Sequence, residues 1–483
     1  MKNRACALIG LLGLVCLDLS AGTLDLTTCS LAGSSGYGTI EAQCGILLRP
    51  ENPAQADGRQ VELKVAVVKA LSPKPRPDAI TIINGGPGGS SIEMFADMAG
   101  AFTRMRRERD IVLIDQRGTG ESNRLECPDL DEAAQGYGEA EIAESTRACL
   151  RALNADPAFY TTSVAVQDLE AMRVALGYEQ LNVYGVSYGT RVALHYLRQY
   201  PSSVRTLVID GVVPPTLSLG PDVALNAQAT LDSIFERCAE DPGCHSAFPD
   251  LSGDFDQLAR ELKASPISIE VAHPNTGKIE RLDLNYGHLA VTIRLLAYAP
   301  ETSALIPIII TEASRRNFVP VASQAINVIT QLSGSLAYGM HNAVVCTEDT
   351  PFYSHSMDWD ALEQTYLGAE QVKVLQGICE VWPAGVIDPG MKDPVISDHP
   401  VLILSGEFDP ITPPRYGEQV RQTLPNSLHI VVPGQGHGVI ARGCVPGLAS
   451  DFIDAASVAD LDAGCVERLG SSPFFVDLLG PPP

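Results

Sequence analysis

Basic residues are scarce in this chain: 34 lysines and arginines stand against 58 aspartates and glutamates, a formal net charge of -24 at pH 7. No basic stripe is present to neutralise a phosphate backbone, which excludes nucleic acid as a partner. The one arginine cluster, Arg104-Met105-Arg106-Arg107-Glu108-Arg109, falls at the end of an expected helix, where cations suit the negative end of the helix dipole. No C-x-x-C pair occurs, which argues against zinc, and no metal or other cofactor is expected. Beyond the N-terminal residues no run is long and apolar enough to cross a bilayer, so stable membrane insertion is not expected. Internal repeats are absent, as is any low-complexity tract before the Pro481-Pro482-Pro483 tail. What remains is an ordinary globular composition, 45% hydrophobic and 19% charged, in 483 residues that can bury a large core.

The N-terminus points to a compartment. Lys2 and Arg4 precede an apolar run over 5–17, and the small residues Ser20, Ala21 and Gly22 follow. That pattern is a signal peptide over 1–21 with cleavage after Ala21, and it predicts a secreted or periplasmic protein. Cys16 is not expected to carry lipid, because Val15 is larger than the residue normally found before a lipidated cysteine. Cys6 and Cys16 belong to that segment, so ten of the 12 cysteines remain after cleavage, an even number in an oxidising compartment. They fall into close couples along the chain: Cys29/Cys44, Cys127/Cys149, Cys238/Cys244, Cys346/Cys379 and Cys444/Cys465. Five local disulfides are predicted from these couples.

Strand and helix signals alternate through the first half. Apolar runs at 61–68, 79–83, 111–114, 181–184 and 206–209 read as strands, and helical spacing covers 91–107, 140–153, 163–176 and 190–200. Alternation of this kind predicts an α/β fold with a mostly parallel sheet covered on both faces. From Pro215 to Pro400 the texture is mainly helical with few strand runs; the α/β rhythm then resumes with strands at 401–404 and 427–432. The expected organisation is a sheet domain formed by 22–215 and 401–483, with a large helical lid inserted over 216–400.

Chemistry concentrates in four motifs. Gly185-Val186-Ser187-Tyr188-Gly189 follows the strand at 181–184 and opens a helix. Strand, G-x-S-x-G, helix is the nucleophile elbow of α/β-hydrolases: the glycines let the chain turn tightly and present Ser187 on a strained corner. A serine hydroxyl is a poor nucleophile at neutral pH and needs a base that is itself held by an acid. His437, in the loop Gly434-Gln435-Gly436-His437-Gly438 past a strand end, is the expected base; His429 sits inside a strand run and belongs to a sheet face. Asp409 and Glu407, both following the strand at 401–404, compete for the acid. Asp409 is favoured because the chain has left the strand fully there and Pro410 stiffens the backbone. The oxyanion needs backbone donors, expected from Tyr188 and from Gly86 in the turn Asn84-Gly85-Gly86-Pro87-Gly88-Gly89-Ser90. A phosphate-binding loop is the rival for those glycines, but the lysine it requires is missing and Pro87 removes a donor.

Gly85-Gly86-Pro87-Gly88-Gly89-Ser90, Asp115-Gln116-Arg117-Gly118-Thr119-Gly120-Glu121-Ser122, the elbow and Gly436-His437-Gly438 together resemble the secreted tripeptidyl aminopeptidase and prolyl iminopeptidase group of α/β-hydrolases. The paired cysteines and the region around Asp409 and His437 resemble the tripeptidyl branch most. Asn84 stands where prolyl iminopeptidases carry His, and Tyr188 where they often carry Trp, a departure from strict proline specificity. The resemblance implies a serine peptidase that cuts near a free N-terminus, with peptide substrates and a helical lid. A peptide amine, with a pKa of about 7.7–8, is largely cationic at pH 7 and needs carboxylates to receive it. Glu348 and Asp349, beside Cys346 in the lid, are the candidates. Arg117 reads as a structural ion-pair residue behind the site. A serine esterase on the same scaffold is the alternative reading, and a non-catalytic binding protein a more remote one. Oligomeric state, side-chain preference and the number of residues released are not legible.

Overall fold

The protein's structure, a computed structural model, describes residues 24–33, 36, 38–127, 139–354 and 357–481. The expected leader at 1–21, with Cys16, lies outside these residues. The apolar runs form strands β1 Thr27–Ala32, β2 Thr39–Pro50, β3 Gln60–Val68, β4 Ala79–Ile83, β5 Ile111–Ile114, β6 Leu181–Val186, β7 Val204–Asp210, β8 Ile267–Ala272, β9 Ile279–Leu284, β10 Val401–Gly406 and β11 Ser427–Val432. A nine-stranded sheet takes the order β1-β2-β3-β5-β4-β6-β7-β10-β11. From β5 to β11 every neighbouring pair is parallel, while β1, β2 and β3 join antiparallel at one edge.

Covering both faces of the sheet explains why the central strands read as unbroken apolar runs: β4, β5 and β10 are buried at every position. Residues alternate between two cores. Val65, Val183, Leu207, Val401 and Ile403 pack with Val192, Leu194 and Tyr196 of the helix Tyr188–Gln199 on one face. Ala66, Ile80, Tyr184, Leu402 and Leu404 pack with Phe95, Phe102 and Phe452 on the other. The chain between β7 and β10 adds no strand to this sheet among the described residues and has an apolar core of its own around Ile234, Phe255, Leu258, Ile293 and Ile309.

The region 216–400 is mainly helical and carries one short antiparallel hairpin, β8 and β9, closed around Pro274 to Gly277. Their alternation of apolar and charged residues suits a hairpin with one face on the helices, and six residues apiece is too short to stand out. The helix expected over 91–107 stops at Met98 and continues as two separate 3₁₀ turns. The arginine cluster therefore does not cap it; Arg109, 1% exposed, pairs with Asp78 at 2.7 Å and with Asp454. The five disulfides are the five sequence-adjacent couples. Among the described residues no helix is long and apolar enough to cross a membrane.

Candidate active site

β6 delivers Ser187 at φ 57° and ψ -128°, left-handed backbone that a non-glycine residue adopts at a cost. The flanking glycines are demanded by contact. A Cβ on Gly185 would lie 2.4 Å from the Gly189 carbonyl oxygen, and one on Gly189 would lie 2.3 Å from the Ile83 carbonyl oxygen. The turn after β4 packs against this corner so closely that a Cβ on Gly85 would sit 2.6 Å from Ser187 Cβ. Asn84 shapes that turn: its Oδ1 accepts the Gly85 N–H at 2.6 Å and its Nδ2 donates to the Ser90 carbonyl at 2.9 Å. Asp115 ties the turn to the D-Q-R-G segment, its carboxylate accepting from the Ser90 hydroxyl and from the Ile92 and Glu121 N–H groups. Among the described residues the Gly86 and Tyr188 N–H groups meet no acceptor, which leaves both as donors for an oxyanion.

Asp409 and His437 meet. The two loops leave the ends of β10 and β11, and His437 Nδ1 lies 2.8 Å from Asp409 Oδ2. The carboxylate is fully engaged: Ile411 and Thr412 donate backbone N–H groups to Oδ1, and the Thr412 hydroxyl donates to Oδ2 at 2.7 Å. Burial alone would raise the Asp409 pKa, but the imidazole and these donors outweigh it and hold the carboxyl below its usual range. Burial likewise favours neutral imidazole, yet the Asp409 charge and hydrogen bond prevail and hold His437 above its ordinary value. Glu407 points elsewhere, accepting the Gly434 N–H at 2.8 Å.

Asp210, which sequence reasoning passed over, joins the elbow to the histidine loop at the end of β7. Its carbonyl accepts the Ser187 N–H at 2.9 Å, while its side chain accepts the Val439 and Ile440 N–H groups at 2.8–3.0 Å and the Tyr184 hydroxyl at 3.1 Å. The next residue is equally tight, since a Cβ on Gly211 would come within 3.1 Å of the His437 ring. Burial pushes the Asp210 carboxyl up to about 6, partly offset by these donors and by His437. The only signal in the sequence was an acidic residue and a glycine ending a strand that follows the elbow. The segment between β7 and β10 closes over the same loops. Tyr298 accepts the His437 N–H on its carbonyl at 2.7 Å and sets its ring edge-on to the imidazole, centroids 5.2 Å apart. Ala337 donates its N–H to the Gly88 carbonyl at 3.0 Å, and His341 Nδ1 lies 3.3 Å from the Pro87 carbonyl.

A model of the α/β hydrolase fold matches residues 78–248, and a model described as TAP-like protein matches 364–465. The chain belongs to the α/β-hydrolases. Among its relatives is the Escherichia coli K12 putative hydrolase YuaR, 29% identical over 281 residues, 53% of this chain and 55% of YuaR, so the match spans about half of that relative. The serine protease Hip1 of Mycobacterium tuberculosis is 23% identical over 468 residues, 88% of this chain and 87% of Hip1. A tripeptidyl aminopeptidase of Streptomyces lividans is 30% identical over 195 residues, 36% of each protein. With these relatives the α/β-hydrolase is a serine hydrolase.

The remaining expected residues lie behind the elbow of this hydrolase. Arg117 is bound to Asp168 through Nε and Nη2 at 2.6 and 2.9 Å, a buried structural pair. Glu348 and Asp349 are not open to receive an amine, which corrects the role expected of them. Both are 0% exposed. Asp349 takes the Arg191 guanidinium at 2.8 and 3.1 Å and the Leu219 N–H. Glu348 takes the N–H and hydroxyl of Thr162, whose hydroxyl lies 2.6 Å from the Tyr188 hydroxyl. Burial lifts Glu348 to about 7 despite the Arg191 charge. These carboxylates anchor the start of the Tyr188–Gln199 helix from beneath. His429 sits in β11 with Nε2 3.0 Å from the buried Ser405 hydroxyl, a sheet-face residue.

Proposed function

We propose that this hydrolase is an exopeptidase that cuts peptides near a free N-terminus through an acyl-enzyme. Ser187 is the nucleophile, His437 the base and Asp409 the acid. The observation that carries this reading is the His437–Asp409 pair, brought to the strand ends beside a serine held on a strained corner. In the reaction the Ser187 hydroxyl gives its proton to His437 Nε2 as Oγ bonds to the scissile carbonyl carbon. The oxygen of that carbonyl takes the negative charge and is received by the Gly86 and Tyr188 N–H groups. The imidazolium, stabilised by Asp409, passes the proton to the leaving amine as the C–N bond breaks. Water then repeats the sequence on the acyl-enzyme, releasing the acid and restoring Ser187.

Residues 216–400 serve as the lid. Support comes from the Tyr298 carbonyl on the His437 N–H and the Ala337 N–H on the Gly88 carbonyl, contacts that cover both sides of the elbow. A roofed site admits chain ends more readily than the middle of a long polypeptide. The relatives named as serine protease and tripeptidyl aminopeptidase agree with peptide chemistry. The five disulfides support a secreted or periplasmic location, reached through the signal peptide at 1–21.

The test is a panel of chromogenic aminoacyl and tripeptidyl amides, the same amides with blocked N-termini, and a short-chain aryl ester. Cleavage of free amides with loss on blocking is the expected result. Equal cleavage of both forms overturns exopeptidase action, and ester hydrolysis without amide hydrolysis makes the protein an esterase. Ser187→Ala should abolish labelling by a serine-directed phosphonate.

A further inference from the structure

One short stretch of the lid is seated on the candidate oxyanion turn. Gly89 and Leu336 form an antiparallel bridge, and the Ala337 N–H donates to the Gly88 carbonyl at 3.0 Å. The fit is close: a Cβ on Gly86 would lie 3.0 Å from Leu336 Cδ2, and one on Gly88 would lie 2.8 Å from the Ala337 carbonyl oxygen. The helix Tyr338–Glu348 begins directly after this seam. Its Gly339, Met340, Ala343 and Val344 are buried, whereas Tyr338 and His341 keep partial exposure. Three residues apart, these two are neighbours on the helix surface, with ring centroids 6.3 Å apart.

His341 Nδ1 lies 3.3 Å from the Pro87 carbonyl, and that contact fixes the tautomer. A carbonyl oxygen only accepts, so Nδ1 carries the hydrogen and Nε2 keeps its lone pair. Burial holds the imidazole below its ordinary pKa, against the Pro87 hydrogen bond and the Asp349 charge, so the ring is neutral at pH 7. Among the described residues no donor reaches Nε2. Pro87 directly follows Gly86, so no more than a dipeptide, about 7 Å of chain, separates its carbonyl from the Gly86 N–H.

We propose that His341 receives the free α-amine of the peptide to be cut, Nε2 accepting one ammonium N–H with the Tyr338 ring beside the charge. An ammonium carries three donors and no acceptor, and an aromatic face attracts it. This rests on the exopeptidase reading and supplies the receiver that the buried Glu348 and Asp349 do not. His437 protonates the leaving amine, so the leaving half of the substrate lies toward His437 and Tyr298. The acyl half, which carries the N-terminus, extends beneath the seam over the oxyanion turn. An acyl part of one to three residues spans about 3–10 Å, the reach needed from the oxyanion donor to the imidazole.

Two substitutions divide the duties of the ring. The Asn amide of His341→Asn can take the place of Nδ1 and keep the Pro87 bond, but leaves nothing at Nε2. The carbonyl of His341→Gln can reach the place of Nε2 and accept there. With free-N-terminal peptidyl amides, His341→Asn should raise KM by about 10–100-fold, the range of a hydrogen bond to a charged group, with kcat within about threefold. His341→Gln should recover part of that loss. Phosphonate labelling of Ser187 and hydrolysis of an aryl ester that lacks an amine should be unchanged in both. Calorimetry on Ser187→Ala, with free and N-acetylated forms of one peptide, should show tighter binding of the free form, and His341→Asn in that background should abolish the difference. Equal cleavage and binding of the two forms by the parent proteins overturns the exopeptidase reading itself. A preference that survives His341→Asn overturns this inference alone. An equal loss of labelling and ester hydrolysis in His341→Asn also overturns it, leaving the imidazole as a support of the oxyanion turn.

Discussion

Replacing Asp210 by Asn separates the structural from the catalytic duties of one buried carboxylate. Asn can keep an oxygen where Oδ2 accepts from Val439, Ile440 and Tyr184, but its amide then faces the Val439 N–H that Oδ1 held at 3.0 Å. That amide is itself a buried donor without an acceptor, which costs about 1–3 kcal/mol. Against this stands the charge. The folded-state pKa of Asp210 is about 6 against an ordinary 3.8, a difference of about two units, so ionising it at pH 7 costs the folded state about 3 kcal/mol. Because the folded value is the higher one, wild-type stability declines as pH rises between about 4 and 6. Asn never ionises and is spared that penalty. The two effects oppose one another with similar size, so the variant should unfold near the wild-type temperature at pH 7. Turnover should nevertheless fall by about tenfold or more, the equivalent of 1.4 kcal/mol in the barrier, because the link between Ser187 and the His437 loop is altered. Asp210 also helps to raise the His437 pKa, and the base must be neutral to accept the Ser187 proton. Activity therefore rises with pH through a value above 6.5 in the wild type, and that limb should move to lower pH in the variant. Thermal unfolding at pH 5 and 7, beside kcat/KM from pH 5 to 9, reads all three. Wild-type turnover with an unmoved limb refutes the reasoning, and so does a collapse of folding at pH 7.

Three further substitutions probe the same frame. Asp409→Asn should cost about 10³–10⁴-fold in kcat, whereas Glu407→Gln, whose oxygen can still accept the Gly434 N–H, should change it by less than about threefold; the opposite ranking in steady-state assays would reassign the acid. Gly85→Ala should slow phosphonate labelling of Ser187 and destabilise the fold by about 1–3 kcal/mol, because the new methyl lies 2.6 Å from Ser187 Cβ and must displace backbone. Arg191→Met strips the fully buried Asp349 and Glu348 of their main counter-charge and should cost about 3–5 kcal/mol in denaturant unfolding; a loss under about 1 kcal/mol would mean that Lys392 carries the compensation.

What could be read early shares one property: its cause lies within a short stretch of chain. The elbow glycines answer a clash between Gly185 and Gly189, four residues apart, and the elbow's backbone was legible from the pattern alone. Sequence-adjacent cysteines became the disulfides because short loops close easily. The mostly parallel sheet was legible in the apolar runs that alternate with helices. The hairpin β8–β9 was missed because its half-exposed strands carry a weak pattern.

Residues whose duty depends on distant partners could not be read. Asp210 meets Val439 across 229 positions, and no local feature distinguishes it from an acid that ends a turn. Glu348 and Asp349 were misjudged for the same reason. Their sequence neighbours suggested an accessible acidic pair, while folding set them against Thr162 and Arg191 at zero exposure. Sequence by itself determined the backbone that each segment can adopt, since steric limits on φ and ψ act between near neighbours. Tertiary structure alone decided which charges are buried and which are paired, because desolvation and ion pairing are set by what other parts of the chain bring within a few ångströms.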